Sequence, residues 1–147
     1  MRTLILSLAL LSCGEHAQEE LVGTWTSPLN DVCSVGFTFS DDGMYQYILV
    51  CPLVDGRYGY EVVFGYYRAT EWELRFIPVS GSCQNNGDAD AMYRFADGQL
   101  RLVFDGAAYL LTKQSEEPRD TPSAQTYVLG CFNRHGQFTV GALHDVP

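Results

Sequence analysis

Beginning at Leu21, apolar and polar residues alternate with a period of two in short runs, and Gly, Asp, Asn or Pro separates one run from the next. The runs are rich in Tyr, Phe, Val and Leu, a composition typical of β-strands that bury one face. No segment carries the sustained apolar stripe of an amphipathic helix. The pattern predicts an all-β chain with strands near residues 21–26, 33–40, 44–51, 58–69, 72–79, 91–96, 99–104 and 107–113, followed by an extended piece over about 126–140.

Two Asp-Gly pairs test how neighbouring strands face each other. Asp97-Gly98 and Asp105-Gly106 both suit two-residue hairpin turns, and each turn fixes which residues oppose one another. The two registers agree, because they place the same apolar residues on one side of a three-stranded meander: Ala91, Tyr93, Phe95, Leu100, Leu102, Phe104, Tyr109 and Leu111. The opposite side carries Arg94, Gln99, Arg101 and Thr112 and sets Arg94 against Arg101.

A third pair, Asp42-Gly43, allows two registers. A two-residue turn would set Cys33 opposite Pro52, whereas a three-residue loop that includes Asp41 sets Cys33 opposite Cys51. In the second register the two cysteines occupy a non-hydrogen-bonded pair, where Cα atoms lie about 4.5 Å apart and a disulfide can close. We therefore predict the three-residue loop and a Cys33–Cys51 disulfide.

The first residues have the composition of an export signal. Arg2 precedes an apolar run that is too short to span a bilayer as a stable helix. The next residues, Leu10-Leu11-Ser12-Cys13, resemble the bacterial lipobox. The resemblance implies cleavage before Cys13 and attachment of fatty acyl chains such as palmitate to its sulfur and new amino group. The alternative is an ordinary signal peptide that is cleaved nearer Ala17.

These features divide the chain into three parts. We predict a lipoprotein signal peptide over residues 1–12, a lipidated tether over 13–20 and a single domain over 21–147. The lipobox places the chain in the bacterial cell envelope, anchored to a membrane by its lipid, since two or more acyl chains anchor firmly. Gly14 after the cysteine, rather than aspartate, favours the outer membrane over the inner one.

Cysteine counting agrees with this assignment. Once Cys13 carries lipid, four cysteines remain, and an even number in an exported chain is typical of two disulfides. Four cysteines permit three connectivities. The hairpin register favours Cys33–Cys51, and this choice leaves Cys83 to pair with Cys131.

The charge balance is strongly acidic, because 18 Asp and Glu side chains outnumber 9 Lys and Arg side chains and give a formal net charge of −9. Such a surface argues against nucleic acid as a partner. It would steer a basic partner toward the protein. The membrane is therefore expected to be contacted through the lipid rather than through the protein surface.

The first predicted strand contains a motif that resembles the signature of a known family. Gly23-Thr24-Trp25 resembles the Gly-x-Trp signature of lipocalins, and the meander resembles the lipocalin-like domain of bacterial lipoproteins. The resemblance implies an up-and-down barrel of about eight strands, a closure that removes exposed strand edges. It also implies that Trp25 closes one end of the barrel against a basic side chain from a late strand, for which the candidates are Arg101 and Lys113.

Aromatic residues crowd the longest predicted strand, where Tyr58, Tyr60, Phe64 and Tyr66 are the candidate ligand-binding residues. Aromatic side chains with polar ends suit a pocket for a small, largely apolar ligand. They equally suit a filled interior, because side chains can just pack an eight-stranded barrel. We favour the filled interior and keep the pocket as the alternative.

No catalytic, cofactor or metal motif emerges from the remaining residues. His135 follows Cys131 at a spacing that suggests a metal pair, but a zinc site needs three or four ligands and the disulfide takes the cysteine. His144 has no Ser or Cys partner in a nucleophile context. We therefore expect no enzymatic activity, no cofactor and no metal.

Two functions remain open at this point. The first is an envelope lipoprotein with a non-catalytic binding or structural role, which could hold a small apolar ligand. The second is a protein-binding inhibitor of a basic extracellular enzyme such as lysozyme, because small acidic β-barrel lipoproteins of the envelope include such inhibitors.

Overall fold

The structure is a computed structural model of the chain and describes residues 19–28, 30, 32–84, 86–114 and 126–146. These residues form eleven strands: β1 (Gly23–Pro28), β2 (Ser34–Phe39), β3 (Met44–Pro52), β4 (Tyr58–Ala69), β5 (Glu73–Gly81), β6 (Ala89–Ala96), β7 (Gln99–Phe104), β8 (Ala107–Lys113), β9 (Tyr127–Phe132), β10 (Phe138–Val140) and β11 (His144–Asp145). The predicted all-β class is confirmed. The predicted signal peptide and Cys13 lie outside the described residues.

The chain enters the sheet through a helical turn at residues 19–21. Leu21, at the end of this turn, is fully buried in the core, whereas Glu19 and Glu20 are exposed. Nowhere in the described residues is there a helix long and apolar enough to cross a membrane.

Strands β1 to β8 form a closed antiparallel barrel. Each of these strands pairs with the next one along the chain, and β8 returns to pair with β1, where Lys113 lies opposite Trp25. This closure confirms the predicted eight-stranded up-and-down meander. It leaves no long unpaired edge within the barrel wall.

The three tested hairpin registers are all confirmed. Asp97-Gly98 and Asp105-Gly106 have positive φ at both residues, as a two-residue hairpin turn of this twist requires. Leu102 consequently faces Tyr93 on one side and Tyr109 on the other.

The β2–β3 hairpin has the predicted three-residue loop, with Gly43 at φ 84°. This loop sets Phe37 opposite Tyr47. It also brings Cys33 and Cys51 to a Cα–Cα distance of 4.3 Å, and the two form a disulfide.

The C-terminal segment lies outside the barrel wall as three short strands instead of one extended piece. Strand β9 runs parallel to the start of β4, with Tyr58 beside Tyr127, and β10 folds back on β9. Strand β11 pairs with the end of β5. The predicted second disulfide, Cys83–Cys131, joins the loop after β5 to β9.

The core fills the barrel from one end. Its members lie on the inward faces of the strands, apart from Leu21 of the helical turn. Seven large side chains are less than 2 % exposed: Phe37, Phe39, Leu21, Leu74, Leu100, Leu102 and Leu111. Phe39 stacks beside Phe37 and meets the edge of Tyr67 at a ring distance of 5.0 Å. This half of the interior is packed, as the favoured prediction of a filled interior expects.

Candidate ligand-binding cavity

Trp25 lies at the packed end of the barrel, which we call the closed end. Its ring is 3 % exposed, and its Nε1–H donates a hydrogen bond of 2.8 Å to the carbonyl oxygen of Leu21. The Lys113 ammonium lies 5.6 Å from the centre of the ring. The helical turn before β1 therefore covers this end of the barrel above Trp25.

Gly23 is required by the same arrangement. Its φ of +130° is rare for residues with a side chain, and a Cβ there would lie 2.7 Å from Cε of Lys113. The glycine of the Gly-x-Trp pattern thus leaves space for the lysine that contacts the tryptophan.

Of the two basic candidates, Lys113 rather than Arg101 lies against Trp25. Arg101 lies between the fully buried Leu100 and Leu102, so its side chain projects from the opposite, outer face of β7. It is exposed there, across from Arg94.

At the other end, which we call the open end, the barrel contains a cavity of about 380 Å³. This size is at the lower end of the range for small-molecule sites. The residues that line it come from β2 to β8 and the loop before β6: Phe37, Tyr45, Tyr47, Glu61, Val63, Phe76, Pro78, Asn86, Gly87, Ala89, Phe104, Asp105 and Tyr109. The barrel interior is therefore filled at one end and hollow at the other.

The floor of the cavity is aromatic and rigidly packed. Phe76 makes ring contacts with Phe37, Tyr45 and Phe104 at centroid distances of 5.9, 4.8 and 5.8 Å. Tyr47 packs on Phe37 at 5.2 Å. These contacts hold the rings in fixed orientations before any ligand arrives.

The tyrosine hydroxyls of the cavity remain protonated at neutral pH. Burial raises the pKa of Tyr47 far above its usual range, and Glu61 and Tyr109 raise it further. Burial likewise raises the pKa of Tyr45, with a smaller contribution from Asp88. Each hydroxyl is thus a neutral group that can donate one hydrogen bond and accept others.

Glu61 is the acidic side chain that reaches the cavity from the barrel wall. It lies on the inward face of β4, opposite Leu49, and its Oε2 accepts a hydrogen bond of 2.9 Å from the backbone N–H of Phe132. Burial raises the pKa of the Glu61 carboxyl, and the Phe132 hydrogen bond partly opposes that increase.

The sulfurs of Cys83 and Cys131 also lie near this carboxylate, within 4.8 Å. Because the two sulfurs are bonded to each other, they are not thiolates and do not offer the ligands that a zinc ion requires. The disulfide instead fixes β9 beside Glu61.

None of the four residues predicted to bind a ligand lines this cavity. Tyr58, Tyr60, Phe64 and Tyr66 all lie on the outer face of β4, whereas Val63 and its odd-numbered neighbours face inward. Tyr58 and Tyr60 contact Tyr127 of β9.

The described residues also form depressions on the surface, of which two are large. One of about 560 Å³ is on the outer wall of β5 to β7, among exposed side chains such as Met92 and Val103. The other, of about 930 Å³, runs between the β3–β4 loop and the β9–β10 loop. Neither lies inside the barrel, and the interior cavity is the one whose walls combine packed aromatic rings with a half-buried carboxylate.

No protein-family model matches the chain, and searches of curated proteins and of solved structures likewise yield no match.

Proposed function

We propose that the chain is a lipid-anchored lipoprotein of the bacterial cell envelope whose β-barrel binds a small ligand without catalysing a reaction. The observation that carries the binding role is the cavity at the open end, which has aromatic walls above a packed floor. Rigid aromatic surfaces with a few polar groups are the usual composition of a small-molecule site.

The contrast between the two barrel ends supports this proposal. The closed end is filled by Trp25, Phe39 and Leu100 and is covered by the turn before β1. At the open end the larger interior side chains Tyr47 and Tyr109 stand at the sides and leave the centre free. A barrel with a purely structural role would gain stability by filling that space.

The lining residues also bear on catalysis. They include one half-buried carboxylate, but no His, Ser or Cys lines the cavity as the structure describes it. Nucleophilic catalysis needs a nucleophile within hydrogen-bond reach of a base. A binding role without turnover is the function that this set of side chains supports best.

The ligand part of the proposal is tested by filling the cavity. Ala89 lines it, whereas Ala108 is exposed on the outer wall of β8. A solvent extract of purified protein, analysed by mass spectrometry, is expected to contain a bound small molecule in the wild type and in Ala108→Phe. The same molecule should be lost in Ala89→Phe. An extract with no stoichiometric small molecule from the wild type would reject the binding role.

The anchor is tested at the lipobox. Cys13→Ser removes the sulfur that would be acylated, so incorporation of labelled palmitate should fall to background and the protein should leave the membrane fraction. Ser7→Ala, within the apolar run of the predicted signal, retains Cys13 and serves as the control. Labelling of Cys13→Ser at the level of the control would contradict the lipobox assignment.

A further inference from the structure

We infer that the open-end cavity takes an organic cation with an apolar body, such as a quaternary ammonium compound, an inference that rests on the ligand-binding function proposed above. The first observation is the charge of the lining. Glu61 and Asp105 are acidic, and none of the described lining residues is Lys, Arg or His. Arg75 projects from the outer wall instead, where it pairs with Asp88 and Asp90 at 3.4 and 3.3 Å.

The second observation is the aromatic surface that surrounds these carboxylates. Six of the lining residues carry aromatic rings, among them Tyr45, Tyr47 and Tyr109. The face of an aromatic ring carries negative electrostatic potential and attracts a cation, and cages of such rings recognise quaternary ammonium groups. A neutral apolar ligand would gain the same contact area but not this attraction.

The third observation is the unusual position of Glu61. A carboxylate that leaves water needs compensating hydrogen bonds or an opposite charge. Among the residues that the structure describes, the N–H of Phe132 donates one hydrogen bond to Glu61, whereas a carboxylate has about four lone-pair sites. An apolar ligand would desolvate this group further without compensation. A cation in the cavity would supply the missing counter-charge, and an anion would be repelled.

The decisive experiment compares choline with the neutral alcohol in which a carbon atom replaces the choline nitrogen. The two molecules share size and shape and differ only in charge. Isothermal titration calorimetry on wild-type protein, freed of any bound molecule by extraction and refolding, should give about tenfold tighter binding for choline. Chloride and sodium are kept constant, so that general screening does not differ between the two titrations.

Variants locate the binding to the cavity. Tyr47→Leu removes one ring from the wall, and Glu61→Gln removes the charge while retaining the shape; each should weaken choline binding about tenfold. Tyr66→Leu is the matched control, because Tyr66 lies on the outer face of the same sheet and is 51 % exposed. It should leave choline affinity unchanged. Thermal melts establish that each variant is folded. If Tyr47→Leu does not fold, the choline affinity of Glu61→Gln tests the inference by itself.

A pH series adds an independent readout, since the charge of choline does not titrate. Because burial raises the pKa of Glu61, this group is protonated at low pH and ionises as the pH rises. Choline affinity should therefore increase as the pH rises, over a range that lies above the usual titration range of a glutamate side chain. Among the groups that face Glu61, Tyr47 of β3 stays protonated, while Cys83 of the β5–β6 loop and Cys131 of β9 do not titrate in their disulfide. The increase should vanish in Glu61→Gln, and its persistence there would contradict the role of Glu61.

The outcomes separate the two proposals. Equal or tighter binding of the neutral alcohol would overturn the preference for a cation while leaving a ligand-binding cavity. Failure of both molecules to bind at millimolar concentration would overturn the cation inference alone, because the proposed binding function is rejected separately, by an empty solvent extract of the wild type.

Discussion

The double variant Cys83→Ser/Cys131→Ser is expected to lose about 4 kcal/mol of unfolding free energy on the chain-entropy model, because its disulfide closes a loop with a sequence separation of 48 residues. This is a large share of the stability of a single domain of ordinary size. The loss should appear as a lower urea midpoint in the oxidised protein. It should be absent when wild type and variant are compared under reducing conditions.

The second disulfide is the internal control. Cys33 and Cys51 are separated by 18 residues, so Cys33→Ser/Cys51→Ser should cost about 3 kcal/mol on the same model. The hydrogen-bonded β2–β3 hairpin also holds these two cysteines together without the bridge. A larger loss for the Cys33–Cys51 pair than for Cys83–Cys131 would contradict this ordering.

Loss of the Cys83–Cys131 disulfide should also make β9, which lies beside the cavity, more mobile. The bridge holds β9 where the N–H of Phe132 donates to Glu61. Without it, β9 is joined to the barrel wall by a short parallel pairing with the start of β4, from Tyr58↔Tyr127 to Tyr60↔Leu129, and its other edge pairs with the three-residue strand β10. Amide hydrogen exchange in β9 should therefore accelerate more than exchange in β7, which pairs with the longer barrel strands β6 and β8 along its two edges.

The hairpin loops explain why so much of the barrel is predictable from the sequence. At Asp97-Gly98 and Asp105-Gly106 the turn chemistry allows one register, and the alternation of apolar residues independently selects the same one. At Asp42-Gly43 the cysteine pair decided between two registers. Local turn chemistry and long-range packing thus favour the same register, and this agreement is why these strand pairings can be predicted from the sequence.

Which residues of β4 face inward was not predicted, although the sequence contains the turn that determines it. Val54-Asp55-Gly56 forms the same kind of three-residue loop as Asp41-Asp42-Gly43: the N–H of Leu53 donates to Arg57, and Gly56 has φ 86°. A three-residue loop at residues 54–56 sets Leu49 opposite Glu61 and Tyr47 opposite Val63, as the structure shows. Aromatic content suggested that the Tyr-rich face of this strand points inward, but register places that face outside.

The pairing of the C-terminal segment could not be predicted in the same way. Strand β9 lies parallel to β4, and a parallel pair has no hairpin turn that fixes its register. The alternation of Tyr127–Phe132 fits either strand direction. Residues 115–125, which connect β8 to β9, lie outside the described part of the chain. Only the cysteine count linked this segment to the barrel.

Gly65→Ala is expected to destabilise the barrel by about 3 kcal/mol or more, the upper range for overpacking a filled interior. A Cβ at this position would lie 2.2 Å from the carbonyl oxygen of Ile77 and 2.8 Å from Cα of Pro78. Both are backbone atoms of β5, so no side-chain rotation relieves the contact. The β4–β5 ladder already shifts register between Phe64 and Gly65, and the two strands would have to separate there.

Gly87→Ala is the matched control, because a Cβ at Gly87 meets nothing within 4 Å and the residue also lines the cavity. Urea unfolding of the two variants should differ by most of the expected 3 kcal/mol or so. Near-equal midpoints would mean that β4 and β5 do not approach closely at Gly65 in solution.

The methyl group added in Gly65→Ala would also lie 2.8 Å from Cε1 of Tyr45, in the wall of the cavity. This contact would displace the Tyr45 ring. Folded Gly65→Ala protein should therefore bind choline more weakly than Gly87→Ala.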